Sequence, residues 1–160
     1  MKSLVVYYSR AGNTRFVAQE IAAELGSDVE EVIDLKRREG TMGWVSAGRD
    51  AMGNRETEIG ETKKNLDDFD LIVIGTPIWA WSPSAPIRTY IRKHNFAGRK
   101  VALFFTLDNK PRQAVEKTKT LMPGADFVGE FLLVKPTKDR EASKKKIAEW
   151  CDSLRAKLPS

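Results

Sequence analysis

Apolar residues recur along the chain in two alternating rhythms. Leu4-Val5-Val6-Tyr7-Tyr8 is an unbroken run, rich in β-branched and aromatic side chains, closed by the polar loop Ser9-Arg10-Ala11-Gly12-Asn13. Such a run predicts a buried strand. Thr14 to Leu25 then sets Val17, Ile21 and Leu25 at helical spacing, with Ala18 and Ala22 beside them, until Gly26 stops the pattern. The alternation continues. Val29, Val32 and Ile33 mark a weaker second strand, and Leu71-Ile72-Val73-Ile74, bounded by Asp70 and Gly75, a central one. Ile87, Tyr90, Ile91 and His94 follow helical spacing, and Val101 to Phe105 is another continuous strand. Arg112 to Met122 predicts a polar helix with Ala114, Val115, Thr118 and Leu121 on one side. Phe127-Val128 and Phe131 to Val134 form a last strand region, and Glu141 to Leu158 a helix whose stripe is Ile147, Trp150, Cys151 and Leu154.

Continuous apolar strands separated by helices imply a parallel sheet covered on both faces. Five strands in this length predict a three-layer α/β fold with a doubly wound sheet, as one domain over residues 1–160. Ligands of such sheets sit beyond the carboxyl ends of the strands, where strand order reverses. The loops after Tyr8, Ile74 and Phe105 are therefore the places to look. The segment 36–66 is the least legible; it holds five of the 11 glycines, and Trp44, Val45 and Ala51 suggest a short helix there.

Composition narrows the class. Of 160 residues, 27 are Lys or Arg and 22 Asp or Glu, a formal charge of +5. With 41% apolar and 31% charged residues, the chain reads as globular, not disordered. The single cysteine, Cys151, excludes an internal disulfide and a multi-cysteine zinc site, and its place on an apolar stripe reads as packing. The first apolar run is too short for a signal-peptide core or a membrane span, so a cytoplasmic location and no membrane partner are expected. The positive charge raises nucleic acid as a partner. No stripe of aromatics interleaved with basic residues supports it, so none is expected.

The chemistry lies in the three loops. Ser9-Arg10-Ala11-Gly12-Asn13-Thr14, between a strand and a helix start, aims backbone N–H groups and three polar side chains at one point, and the helix terminus adds partial positive charge. That is a phosphate cradle; the plainer reading is a turn with Asn13 or Thr14 as N-cap. It lacks the Gly-Lys-Ser/Thr of a nucleotide-triphosphate loop and the three spaced glycines of a dinucleotide loop. In Gly75-Thr76-Pro77-Ile78-Trp79-Ala80-Trp81-Ser82-Pro83, two tryptophans at a strand end offer a planar ligand a stacking surface. Thr106-Leu107-Asp108-Asn109-Lys110-Pro111 adds polar groups at the edge of the same mouth.

Taken together, these loops resemble those of the flavodoxins. Ser-Arg-Ala-Gly-Asn-Thr is similar to the family's phosphate loop, Ser/Thr-x-Thr-Gly-Asn-Thr, and Trp79 stands where the stacking aromatic does. Thr106-Leu107-Asp108 resembles the third flavin loop, and strand and helix order agree over essentially the whole chain. The resemblance implies a short-chain flavodoxin fold and non-covalent FMN. It assigns Ser9, Arg10, Ala11, Gly12, Asn13 and Thr14 to the phosphate, Pro77, Ile78, Trp79 and Ala80 to one ring face and its N5 side, and Thr106, Leu107 and Asp108 to the pyrimidine side; Thr76 and Trp81 of the second loop are expected among the cofactor-binding residues as well. No classical catalytic residue and no metal are implied.

Four departures shape the functional expectation. Ala11 replaces a usual hydroxyl. Ala80 and Trp81 follow Trp79 where a Gly is common, and alanine resists the positive φ of that turn by roughly 1 kcal/mol or more, which predicts weaker stabilisation of one-electron-reduced flavin. No aromatic lies between Asn109 and Met122 to cover the outer flavin face, leaving Trp81, Trp44 or nothing to do so. Flavodoxins are typically acidic and this chain is +5. The expected function is electron transfer with a redox partner protein or a small-molecule electron donor or acceptor, as monomer or homodimer. The alternative is an NAD(P)H-dependent FMN oxidoreductase acting on a quinone-like acceptor.

Overall fold

The computed structural model describes residues 1–36, 45, 47 and 56–158. In chain order the elements are β1 (Ser3–Tyr7), α1 (Asn13–Leu25), β2 (Asp28–Glu31), a 3-10 turn (Leu66–Asp68), β3 (Leu71–Trp79), β4 (Ser82–Pro83), α2 (Ala85–Arg92), β5 (Lys100–Leu107), α3 (Ala114–Thr120), β6 (Asp126–Val134) and α4 (Arg140–Lys157). Five strands run parallel in the order β2-β1-β3-β5-β6, and the two-residue β4 pairs antiparallel with the end of β3. The chain steps outward from β1 to β2, then returns past β1 to β3. The gap between the carboxyl ends of β1 and β3 is thus the point where strand order reverses.

The central strands are apolar on both faces because both are covered. On one side Val5, Tyr7, Val73 and Phe104 pack against Val17 and Ile21 of α1 and Ile147, Cys151 and Leu154 of α4. On the other, Leu4, Val6, Ile72, Ile74, Leu103 and Phe105 meet Ile87, Tyr90 and Ile91 of α2, with Val115 of α3 packed alongside. The expected three-layer fold is the one observed.

Several boundaries differ from the sequence pattern for identifiable reasons. β3 continues through Gly75 to Trp79 because Gly75, Thr76 and Pro77 pair with Phe104, Phe105 and Thr106, while Ile78 and Trp79 pair with β4. α2 begins at Ala85, with Pro86 in its first turn, and ends before His94. The His94 ring places Nδ1 2.8 Å from the Tyr90 carbonyl, at the terminus of the helix. α3 starts only at Ala114, since Arg112 has φ 46 and cannot belong to a right-handed helix. Of the short helix expected near 44–51, Trp44 and Ala51 lie outside the described residues, while Val45 and Ala47 are helical.

Among the described residues no helix is long and apolar enough to cross a membrane, and no cluster of His, Cys, Asp and Glu could hold a metal. Cys151 is fully buried, and burial pushes its thiol up to about 12. The thiolate is the reactive form, so the native protein should resist a thiol reagent at pH 8 and react stoichiometrically only on unfolding. Fast labelling of the folded protein would contradict that placement.

Candidate functional site

β1 ends at Tyr7, and the chain must turn at once to start α1. Gly12 supplies that turn with φ 102, a conformation closed to most side chains. It is also the N-cap of α1, and among the described residues no side chain caps the helix. The plainer reading, in which Asn13 or Thr14 caps α1, is therefore not realised. Both residues are instead tied across the site. Thr14 Oγ1 lies 2.8 Å from Thr106 Oγ1 at the end of β5, and Asn13 Oδ1 accepts from Thr137 Oγ1 at 2.6 Å. Ser9 Oγ accepts the Gly12 N–H at 3.1 Å and shapes the loop from within. The first-turn N–H groups of a helix have no intrahelical acceptor, so this uncapped terminus presents donors and partial positive charge to the cleft.

The second wall is the end of β3. Trp79 is buried to 9% exposure, with its ring edge-on to Tyr8, centroids 5.5 Å apart at 89°. Ala80 and Trp81 form the two-residue turn into β4, with φ 46 and 61. Positive φ at both centres is the signature of a type I′ hairpin turn, normally given to Asn and Gly. The expectation was that Ala80 would resist positive φ; the structure holds it there already, so the fold carries the strain. Ala80→Gly should accordingly stabilise the apoprotein by up to about 1 kcal/mol, a rise of about 2–4 °C in Tm. A lower Tm on thermal unfolding would contradict the strain.

Ser9, Arg10, Ala11, Asn13, Thr14, Pro77, Ile78, Trp79, Thr106, Leu107 and Asp108 line one cavity of about 130 Å3 at this end of the sheet. The three loops singled out in the sequence thus converge on one cleft. Four of the expected residues stand outside its lining. Gly12 shapes the loop beneath it. Thr76 is fully buried, where its Oγ1 accepts the Ser84 N–H at 3.0 Å and fixes the start of α2. Ala80 makes the hairpin turn. Trp81 is 48% exposed and stacks under the Arg112 guanidinium, 4.8 Å from ring centroid to carbon.

Three contacts were not legible in the sequence. Thr137 reaches the first loop from the turn after β6, and Arg112 and Lys117 clasp the hairpin, Lys117 Nζ lying 3.1 Å from Ser82 Oγ. A polar residue in an unremarkable loop carries no signal of such long-range pairing. The nearby Arg15 is directed elsewhere: it pairs with Glu31 and bonds Tyr7, which raises its own pKa, the Glu31 bond being the larger cause. Arg88 of α2 is 3% exposed, with Nε and Nη2 lacking a hydrogen-bond partner among the described residues; burial lowers its pKa, and Arg92 adds to the effect. It does not line the cleft.

A parallel sheet with an uncapped helix terminus and an aromatic wall at its reversal point defines a class of α/β proteins that bind phosphate-bearing planar ligands. The chain belongs to the flavodoxin family, whose model, described as flavodoxin, matches residues 2–154. Solved structures agree in fold. A protein from Bacteroides uniformis, described as a flavoprotein, is 26% identical, with 94% of this chain and 97% of that one covered and a TM-score of 0.80. A flavoprotein from Lactobacillus acidophilus in complex with FMN is 24% identical, covering 93% and 97%, with a TM-score of 0.71. Oxidised flavodoxin 1 from Bacillus cereus is 18% identical, covering 99% and 100%, with a TM-score of 0.59. No curated protein matches the chain.

Proposed function

We propose that this protein binds FMN non-covalently and works in electron transfer. The observation that carries the reading is the shared cleft, with uncapped α1 donors at one end and Trp79 at the other. The residues fit the group. Gly12 has no Cβ and nothing within 4 Å of where one would stand, so a phosphate can approach the backbone there. Pro77, Ile78, Trp79 and Leu107 offer an apolar wall to a planar ring, and Thr106 and Asp108 a polar edge. Ser9, Arg10, Ala11, Gly12, Asn13 and Thr14 would hold the phosphate.

When bound, FMN supplies one- and two-electron redox chemistry, and the protein's part is to orient it and set its surroundings. The Thr14–Thr106 and Asn13–Thr137 contacts fix the first loop against β5 and the turn after β6. The Ala80–Trp81 turn holds Trp79 against Tyr8. No residue of the chain needs to act as a general acid or base.

The enzyme reading keeps one observation in its favour. Trp81 does not line the cleft, and among the described residues no aromatic from the third loop does. Neither therefore stands between the cleft and a dihydronicotinamide or a quinone. Turnover of NADH or NADPH with benzoquinone separates the two. Rates no higher than free FMN support the carrier; rates well above it make the protein an oxidoreductase.

A further inference from the structure

Part of the positive charge of this chain gathers at one end of the sheet. Lys110 and Arg112 follow β5, Lys117 stands on α3, and Lys135 and Lys138 follow β6; all five are exposed. Each is tied by geometry to the mouth of the cleft. Lys110 lies two residues beyond the lining residue Asp108. Arg112 covers the Trp81 ring, and Lys117 reaches Ser82. The Lys135 N–H donates to the Leu107 carbonyl at 2.9 Å, and the Lys138 N–H donates to that of Lys135 at 3.0 Å. None of the five makes an ion pair among the described residues. The carboxylates nearest these five in sequence are Asp108, Glu116 and Asp139. The Asp139 carboxylate already caps α4 by accepting the Ala142 N–H.

At the opposite end of the sheet, acids are interspersed with the cations. There Asp67 pairs with Arg99, Asp126 with Lys100, and Asp70 accepts the Lys2 N–H. Five cations without an ion pair among the described residues thus surround the place where electrons would enter or leave. Unpaired rim cations in weak screening steer oppositely charged partners and exclude like-charged ones. Spread over two loops and a helix, they do not converge on one small anion; they match a ring of carboxylates on another protein.

We propose that the cleft mouth is a docking face for a redox partner protein that presents carboxylates around its own redox centre. This rests on the FMN-binding electron-transfer reading. Each transfer moves one electron from the reduced flavin to a one-electron acceptor, and the flavin releases its proton to solvent.

Two haem proteins of opposite rim charge test it. The FMN-loaded protein, photoreduced without oxygen, is mixed in stopped flow with ferricytochrome b5, whose haem edge is ringed by carboxylates, or ferricytochrome c, ringed by lysines. Salt is raised until the Debye length shortens from about 30 Å to about 8 Å. The rate to cytochrome b5 should fall about tenfold and that to cytochrome c should rise. The double variant Lys110→Glu, Lys138→Glu should flatten or reverse both slopes. A salt-independent rate to cytochrome b5, or unchanged slopes in the variant, overturns the proposal. Iodide and caesium quenching of the fluorescence that Trp81→Phe removes reads the same field without electron transfer. The ratio of iodide to caesium quenching should exceed that of N-acetyltryptophanamide, and a ratio no higher than that also overturns the face. Failure to load FMN would instead remove the underlying reading, so the two failures are distinct.

Discussion

Gly75→Ala should destabilise the apoprotein by about 3 kcal/mol, at the upper end of overpacking penalties. A Cβ at residue 75 would stand 1.9 Å from Cζ of Phe104 and under 2.5 Å from both Cε atoms. Phe104 is fully buried and is the direct neighbour of Gly75 on β5. Its ring lies flat over the glycine, with Val5, Tyr7 and Val73 in the same apolar cluster. The ring cannot retreat without disturbing that cluster. Urea unfolding should show a lower midpoint at unchanged slope. Phe104→Leu leaves a void of its own but frees the space, so the double variant should be at least about 1 kcal/mol more stable than the sum of the singles. A loss below about 1 kcal/mol for Gly75→Ala, or strict additivity, would show that the ring does not hold this position.

Trp79→Ala should weaken FMN binding by about 30- to 100-fold, roughly 2–3 kcal/mol, in line with the loss of an aromatic stacking surface. Trp79 lines the cleft and is held by Tyr8 and the hairpin, so its plane is positioned before a ligand arrives. Trp79→Phe should recover most of the affinity. Trp81→Ala should change affinity only a few-fold, because Trp81 leans on Arg112 and does not line the cleft. Fluorescence titration of each refolded apoprotein checks the order. A larger effect at Trp81 than at Trp79 would reassign the stacking wall.

The strand and helix order was legible because the sheet is buried on both faces. Leu71 to Ile74 and Val101 to Phe105 show no polar interruption, and the loops at their ends are short and polar. The cleft was legible for the same reason, since a doubly wound sheet fixes where its strand ends meet. What escaped depends on pairing rather than on local pattern. Gly75 to Trp79 look like loop residues, yet β5 and β4 make them strand. Arg112 carries no mark of a left-handed backbone, and neither does Ala80. Thr137 is 124 residues from Asn13 in sequence and beside it in space. Charge was visible only as a sum, and the fold places five of its cations around the cleft mouth.

Calorimetric titration of the apoprotein with FMN, and in parallel with riboflavin, tests the central claim most directly. Riboflavin carries the same ring system without the phosphate, so the difference isolates what Ser9 to Thr14 and the uncapped α1 terminus contribute. FMN should bind one to one, and at least about 100-fold more tightly than riboflavin, a difference near 3 kcal/mol. No binding of FMN, or equal affinity for the two, would contradict the assignment of this cleft.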